Sequence, residues 1–229
     1  MDFAYVQENV AAIRLHVEAA CAKAGRDPAD VRVIAVTKTA PPDILPALPA
    51  NGITDAAENR WQAAREKLMH PAATQLTWHF IGTLQTNKVK YVAPRFDWVH
   101  SVDRLELALA LAEAAQRLAR TLNVLIQVNV AQESQKHGFP PEACLEAATA
   151  MIGMPNLVLR GLMTMAPQVD DPEQVRPVFR TLRELRDDLQ SRLSLATFDQ
   201  LSMGMSQDFP VAIEEGATMI RVGRRLVNP

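Results

Sequence analysis

The sequence predicts an α/β fold, a (β/α)8 TIM barrel with an additional N-terminal helix, and three observations carry that prediction. Eight short apolar or β-branched runs succeed one another, most of them separated by helical patterns. No Pro/Gly-rich linker interrupts the 229 residues, so 1–229 reads as a single domain. The run 123–130, NVLIQVNV, sets Val124, Ile126, Val128 and Val130 on one face and Leu125, Gln127 and Asn129 on the other. An apolar outside and a more polar inside fit a closed barrel. An open doubly wound sheet is the alternative, and it requires the weak runs 53–57 and 198–201 not to be strands. No GxGxxG or GxxxxGK segment supports a nucleotide-binding version of it.

The elements follow in chain order. Residues 1–24 carry Val6, Val10, Ile13 and Val17 at helical spacing, and Gly25 with Pro28 ends the pattern. This helix is expected to cover the bottom or side of the fold. The run 31–38, VRVIAVTK, reads as a strand buried on both faces that stops before Pro41-Pro42. A short helix is expected around 42–48 and a turn at Asn51-Gly52. The weak strand 53–57 leads through Glu58-Asn59 into a helical run to about Met69. Residues 77–82, TWHFIG, are the third strand, 85–92 a short helix stopped by Pro94, and 97–102, DWVHSV, the fourth strand. Asp103 and Glu106 are spaced as a capping box before an Ala/Leu-rich helix to about Arg120. Strand 123–130 is followed by a loop over 131–138, a helix over 141–152 and a sixth strand over 157–163. Asp171-Pro172-Glu173 opens a helix to about Leu189. Residues 198–201 are the seventh strand, 202–208 a polar loop, 210–215 a short helix ended by Gly216, and 218–223 the eighth strand.

Composition narrows the function classes. With 48% hydrophobic and 22% charged residues the chain is ordinary globular material, and a net charge of -2 gives no reason to expect a nucleic-acid partner. The apolar run 105–122 is broken by Glu106, Glu113, Arg117 and Arg120, so no membrane span is expected. The start, MDFAYVQENV, lacks the basic-then-apolar order of a secretory signal. Two distant cysteines, Cys21 and Cys144, suit a reducing compartment, and together these set a cytoplasmic expectation. The five histidines show no metal-ligand spacing, and no metal is expected.

In a barrel the site lies at the C-terminal strand ends. That rule gathers Lys38, Glu58, Asn59, Gly82, Asn87, Asn129, Lys136, Met163, the run 202–206, Arg221 and Gly223 at one mouth. Lys38 is either a surface lysine whose stem snorkels or an amine in a partly dry site that can form a Schiff base. The segments LSMGMSQD (201–208) and IRVGRR (220–225) follow strands seven and eight, where such barrels often hold phosphate. Ser202, Ser206 and the N–H groups around Gly204, Met205, Gly223 and Arg224 are the candidate cradle. Arg221 alternates with Ile220 and Val222 and is expected to point inward, where it needs an acceptor. His79 is expected to be a hydrogen-bonded barrel histidine, with a metal ligand as the alternative, and it is kept as an accessory candidate at the site. A lysine on strand one and a phosphate cradle opposite admit either a Schiff-base enzyme of the aldolase kind or a bound pyridoxal phosphate.

The segments AVTK (35–38), AEN (57–59), WHFIGTLQTNK (78–88), VHSVD (99–103), QVNVAQESQKHG (127–138), LRGLMTM (159–165), LSMGMSQD and IRVG (220–223) together resemble the YggS/PROSC family of pyridoxal phosphate homeostasis proteins. The likeness runs in order from about residue 31 to residue 223. It implies a barrel like the N-terminal domain of alanine racemase and pyridoxal 5'-phosphate as cofactor, held as an internal aldimine on Lys38. The implied cofactor contacts are Asn59, Asn87, Ser202, Met203, Gly204, Met205, Ser206, Arg221, Gly223 and Arg224, with Lys136 as a second, accessory lysine. Three positions depart from the family pattern: Ala57 replaces a glycine, Arg224 a small hydroxylated residue, and the ending reads LVNP.

The resemblance also implies a role. The racemase second domain, with its tyrosine acid/base, has no counterpart, and the two tyrosines here are Tyr5 and Tyr91. A one-sided site is poor at racemization, which must exchange a proton on both faces. The expected function is therefore a carrier or regulator in vitamin B6 and amino-acid homeostasis without substantial turnover. The alternative is a low-activity, racemase-like enzyme on an amino acid. Pyridoxal phosphate-dependent apoenzymes are the expected transient partners, and a monomer is preferred.

Overall fold

Runs of four to seven residues rich in Val, Ile, Leu and Ala are too short for helices that bury a face, and they form the barrel wall. In the computed structural model, which describes residues 3–131 and 137–229, eight parallel strands close edge to edge. They are β1 (Arg32–Val36), β2 (Asp55–Glu58), β3 (Thr77–Phe80), β4 (Trp98–Val102), β5 (Leu122–Gln127), β6 (Leu157–Met163), β7 (Gln200–Met205) and β8 (Met219–Val222). Each pairs with the next, and β8 returns to β1 with Val33 beside Ile220 and Ile34 beside Arg221. The doubly wound alternative is thereby excluded.

Helices cover the wall. They are α1 (Tyr5–Ala24), α2 (Ala47–Ala50), α3 (Trp61–Leu68), α4 (Val89–Val92), α5 (Leu105–Arg117), α6 (Cys144–Ile152), α7 (Arg176–Leu193), α8 (Phe209–Glu214) and α9 (Arg224–Val227). The stripe Val6, Val10, Ile13 and Val17 is buried, as its spacing predicts. α1 packs beside α8 and α9 and ties down the C-terminal turn: the Tyr5 hydroxyl donates to Val227 O at 3.0 Å and Asn9 Nδ2 to Asn228 O at 2.8 Å.

The core has two compartments. The large one lies between strands and helices, and a small one, containing Ile34, Val36, Ala57, Trp98, Leu125, Met163 and Met219, fills the barrel. Trp98 stacks on the His79 ring at 5.6 Å, and the Arg32 and Arg160 guanidiniums lie over its indole at 5.6 and 5.9 Å. No helix among the described residues is long and apolar enough to cross a membrane.

Four local expectations are corrected. β7 runs to Met205, so Ser202, Met203 and Gly204 belong to the wall and not to a loop. β5 ends at Gln127, with only an isolated bridge from Val128 to Phe139 beyond it. Asp103 does not cap α5: Arg104 occupies the cap position, and the Asp103 carboxylate pairs with Arg104 at 2.5 Å and His137 at 3.5 Å. α9 closes the chain where no helix was expected.

Candidate functional site

The strand ends open on a cavity of about 440 Å³, within the range typical of small-ligand sites. Lys38 lies in the turn just past β1 and continues the parity of Ile34 and Val36, so its stem leaves the barrel interior into this cavity. Among the described residues no carboxylate pairs with its amine. Asn59 lines the cavity from the end of β2, and Ile81, Gly82 and Thr83 line it from the end of β3. Gly82 is held by the Ser101 hydroxyl, which donates to its carbonyl at 2.5 Å. A side chain there would drive a Cβ into the Asn59 carbonyl, so glycine permits the two strand ends to meet.

The far wall carries positive charge and backbone donors. Met205 lines it at the end of β7 and Ser206, Gln207 and Asp208 just beyond, while Arg221 lines it from β8 and Gly223 and Arg224 from the turn that follows. Ser206 Oγ accepts the Gly223 N–H at 3.3 Å, which leaves the hydroxyl proton to point elsewhere. α9 begins at Arg224, and the first N–H groups of a helix have no acceptor within it. Asp208 Oδ1 accepts the Met205 N–H at 2.6 Å and so shapes the turn; burial raises its carboxyl above the ordinary range despite that bond and the Arg221 charge. Loop residues Met165, Pro167 and Val169, after β6, make the remaining side mostly apolar, with Gln168 as its polar member.

Arg221 is buried at the cavity floor. NH1 donates to Ser202 Oγ at 2.6 Å and NH2 to Thr164 O at 2.9 Å, taking two of the five guanidinium N–H bonds. Burial draws its pKa down to about 10, which still leaves it charged at neutral pH. Behind Lys38 lies a second buried group. Thr37 Oγ1 donates to Glu58 Oε1 at 2.6 Å, and Lys67 Nζ, from α3, donates to the same oxygen at 2.8 Å.

Of the residues expected at the mouth, Lys38, Asn59, Met205, Ser206, Arg221, Gly223 and Arg224 are brought together around the cavity. Others are not. Asn87 sits on an exposed turn, Thr86–Lys88, because buried Leu84 carries the chain away from the mouth first. Ser202 lies beneath Arg221, Met203 is buried in the outer core, and Gly204, at φ +91°, packs against Ala212 and Phe209 of α8. Glu58 turns outward to Lys67. His79 is a buried, hydrogen-bonded barrel histidine, bonded to Asp55 and His100, and does not line the cavity. Lys136 lies outside the described residues.

Sequence reasoning missed Asp55, His100, Thr37 and Lys67 as partners and Asp208 as a lining group. A signal existed for one of them, His100. His79 and His100 alternate with outward-facing Phe80 and Val99 on neighbouring strands, so strand parity alone turns both imidazoles inward.

The sequence profile of the alanine racemase N-terminal domain family matches residues 9–227. A protein of Aquifex aeolicus, named a pyridoxal phosphate homeostasis protein, is 42% identical over 219 residues, covering 96% of each chain. Among solved structures, one of an unknown protein from Bifidobacterium adolescentis superimposes with a TM-score of 0.92 at 30% identity, covering 99% of this chain and 97% of the other. PipY of Synechococcus elongatus, solved with PLP bound, superimposes with a TM-score of 0.85 at 32% identity, covering 97% of this chain and all of PipY, 100%.

Proposed function

The chain belongs to the alanine racemase N-terminal domain family, and on that premise we propose that it binds pyridoxal 5'-phosphate and acts in pyridoxal phosphate homeostasis. Lys38 is the covalent anchor. The one observation that carries this reading is the set of groups around the cavity: an amine, Lys38, faces a space also lined by Arg221, Ser206, Gly223 and Arg224. Among the described lining residues, three cations against the single carboxylate of Asp208 suit a phosphorylated ligand, and the volume suits one cofactor. The residues present therefore fit the group.

Pyridoxal phosphate supplies an aldehyde that condenses with an amine, releasing water, and a ring that draws electrons strongly only when its nitrogen carries a proton. Each protein group has a matching task. Ser206, the Gly223–Arg224 backbone and the Arg224 side chain hold the phosphate. Arg221, which only donates, would offer its N–H to the ring nitrogen without yielding a proton, and that would leave the ring a weak electron sink. The loop Met165–Val169 offers apolar cover and no titratable side chain for proton exchange.

The combination favours storage of a masked aldehyde over turnover. Tyr5 is engaged at Val227 O and Tyr91 stacks on Trp61 at 5.5 Å, and neither lines the cavity as an acid or base. Transient delivery to pyridoxal phosphate-dependent apoenzymes, a monomeric state and a cytoplasmic setting belong to the same proposal. The buried, unpaired thiols of Cys21 and Cys144 agree with that setting.

Titration of the full chain with pyridoxal phosphate tests the reading. A visible absorption band that saturates with wild type and is absent for Lys38→Ala is expected. Equal bands for both proteins would remove Lys38 as the anchor. Rapid, Lys38-dependent deuterium exchange at Cα of alanine with racemic product would replace the carrier by an enzyme.

A further inference from the structure

Beneath the cavity a file of buried polar groups crosses the barrel interior. Arg221 NH1 lies 2.6 Å from Ser202 Oγ, and Ser202 Oγ lies 2.8 Å from His100 Nδ1. His100 Nε2 lies 2.9 Å from His79 Nδ1, and His79 Nε2 lies 2.8 Å from Asp55 Oδ1. Four strands, β2, β3, β4 and β7, supply the side chains that support Arg221 on β8. All five are buried, and the file ends beside the Arg32 guanidinium, 3.6 Å from Asp55.

Elementary donor rules orient every proton in the file. A guanidinium only donates, so Ser202 Oγ accepts from Arg221. The Ser202 hydroxyl proton then goes to His100 Nδ1, its other side-chain partner among the described residues. His100 must carry its hydrogen on Nε2 and donate it to His79 Nδ1. His79 in turn carries its hydrogen on Nε2 and donates it to Asp55. Asp55 is a suitable terminus: burial favours its neutral form, yet bonds from His79 and Thr54 and the charge of Arg32 outweigh that and keep it ionised. Reversing the file would require a proton on that carboxylate. Protonating either imidazole would put a second cation in a file that already holds Arg221, with Arg32 at one end; among the described residues Asp208 acts on Arg221, and Asp97 acts on His79 beside Asp55.

We propose that Asp55, His79, His100 and Ser202 form a one-directional hydrogen-bond relay that holds Arg221 as a fixed charged donor at the cavity floor. The proposal deepens the cofactor reading and rests on it only for the identity of the ligand that Arg221 faces. Asp55 and the two histidines are positioning residues, acting on the ligand through Arg221. Head-to-tail bonds between an anion and a cation polarise one another, so the far carboxylate is felt at the guanidinium. An aromatic ring nitrogen in front of Arg221 stays unprotonated while the relay is intact.

Nitrogen-15 NMR of the histidine side chains in the ligand-free full-length chain reads the relay directly. Two neutral imidazoles, both protonated on Nε2 between about pH 5.5 and 8, are expected. An Nδ1–H tautomer on His100, or a cationic ring in that range, would overturn the relay, and this measurement needs no variant. Asp55→Asn keeps the shape and removes the charge. It is expected to mix the His79 tautomers and to shift the pH midpoint of the bound cofactor's absorption by about 0.5 unit or more. Ser202→Ala is expected to shift that midpoint while leaving the His79 tautomer as in wild type. Unchanged midpoints in both variants would contradict coupling to Arg221. Covalent labelling of Lys38 in wild type is scored separately, so loss of labelling refutes the cofactor reading while the NMR still decides the relay.

Discussion

Two buried polar groups stand behind the cavity, and they are built on opposite principles. The group outside the barrel wall, Thr37, Glu58 and Lys67, closes a charge pair locally at 2.8 Å and leaves Glu58 Oε2 without a hydrogen-bond partner among the described residues. The group inside the barrel separates its charges, Asp55 and Arg221, by a serine and two neutral imidazoles, with every link bonded. The first fixes a piece of backbone, the turn that carries Lys38. The second fixes proton positions beneath Arg221. Damage to the first should therefore appear as lost stability, and damage to the second as altered ligand behaviour.

Breaking the outer pair is expected to have the largest effect. Lys67→Met leaves the Glu58 carboxylate buried and unpaired and should lower unfolding free energy by about 3–5 kcal/mol in a denaturant titration. Adding Glu58→Gln should recover much of that loss; a double variant as unstable as the sum of the singles would show that the pair is not the source. Inside the barrel, Arg221→Met should weaken pyridoxal phosphate binding by about tenfold or more, the scale of a lost charged hydrogen bond, measured by fluorescence titration. Unaltered affinity would mean that the ring nitrogen lies elsewhere.

Acid sharpens the same contrast. His79 and His100 titrate below the ordinary imidazole value of 6.5, because burial penalises their cations, with the Arg221 charge adding to this for His100. As pH falls, the unfolded chain takes up their protons first. Stability is then fully retained above about pH 6.5 and falls below it by about 1.4 kcal/mol per pH unit for each histidine, towards the lowered folded values. Urea midpoints at several pH values measure this slope, and a flat profile through that window would contradict two neutral buried imidazoles. The smallest change is expected at the rim. Arg224→Ser should loosen the cofactor several-fold at low salt and less at high salt, because an exposed charge is screened.

The barrel and half of its mouth were legible from pattern. Period-two alternation in β5 and the strand-helix rhythm gave the architecture, and the parity of Ile34, Val36 and Lys38 sent the lysine into the cavity. Turn chemistry was less faithful. Ser202 to Gly204 resemble a polar loop, yet they continue β7, because Gly204 lets α8 pack close and Ser202 is needed below Arg221. Asn87 follows the mouth strand closely in sequence yet sits on an exposed turn and does not line the cavity, since Leu84 is drawn into the outer core first. Glu58 shares the outward face of β2 with Ala56, a short alternation that the buried Lys67 nine residues on completes. The relay links residues up to 102 positions apart between His100 and Ser202, a distance no local periodicity spans.

Covalent capture at Lys38 is the most direct test of the site. The full chain is mixed with pyridoxal phosphate, reduced with borohydride, digested and mapped by mass spectrometry. A reduced pyridoxyl group on the Lys38 peptide, near one per chain, is the expected result. An unmodified Lys38 peptide, with the label absent or on other lysines, would contradict it.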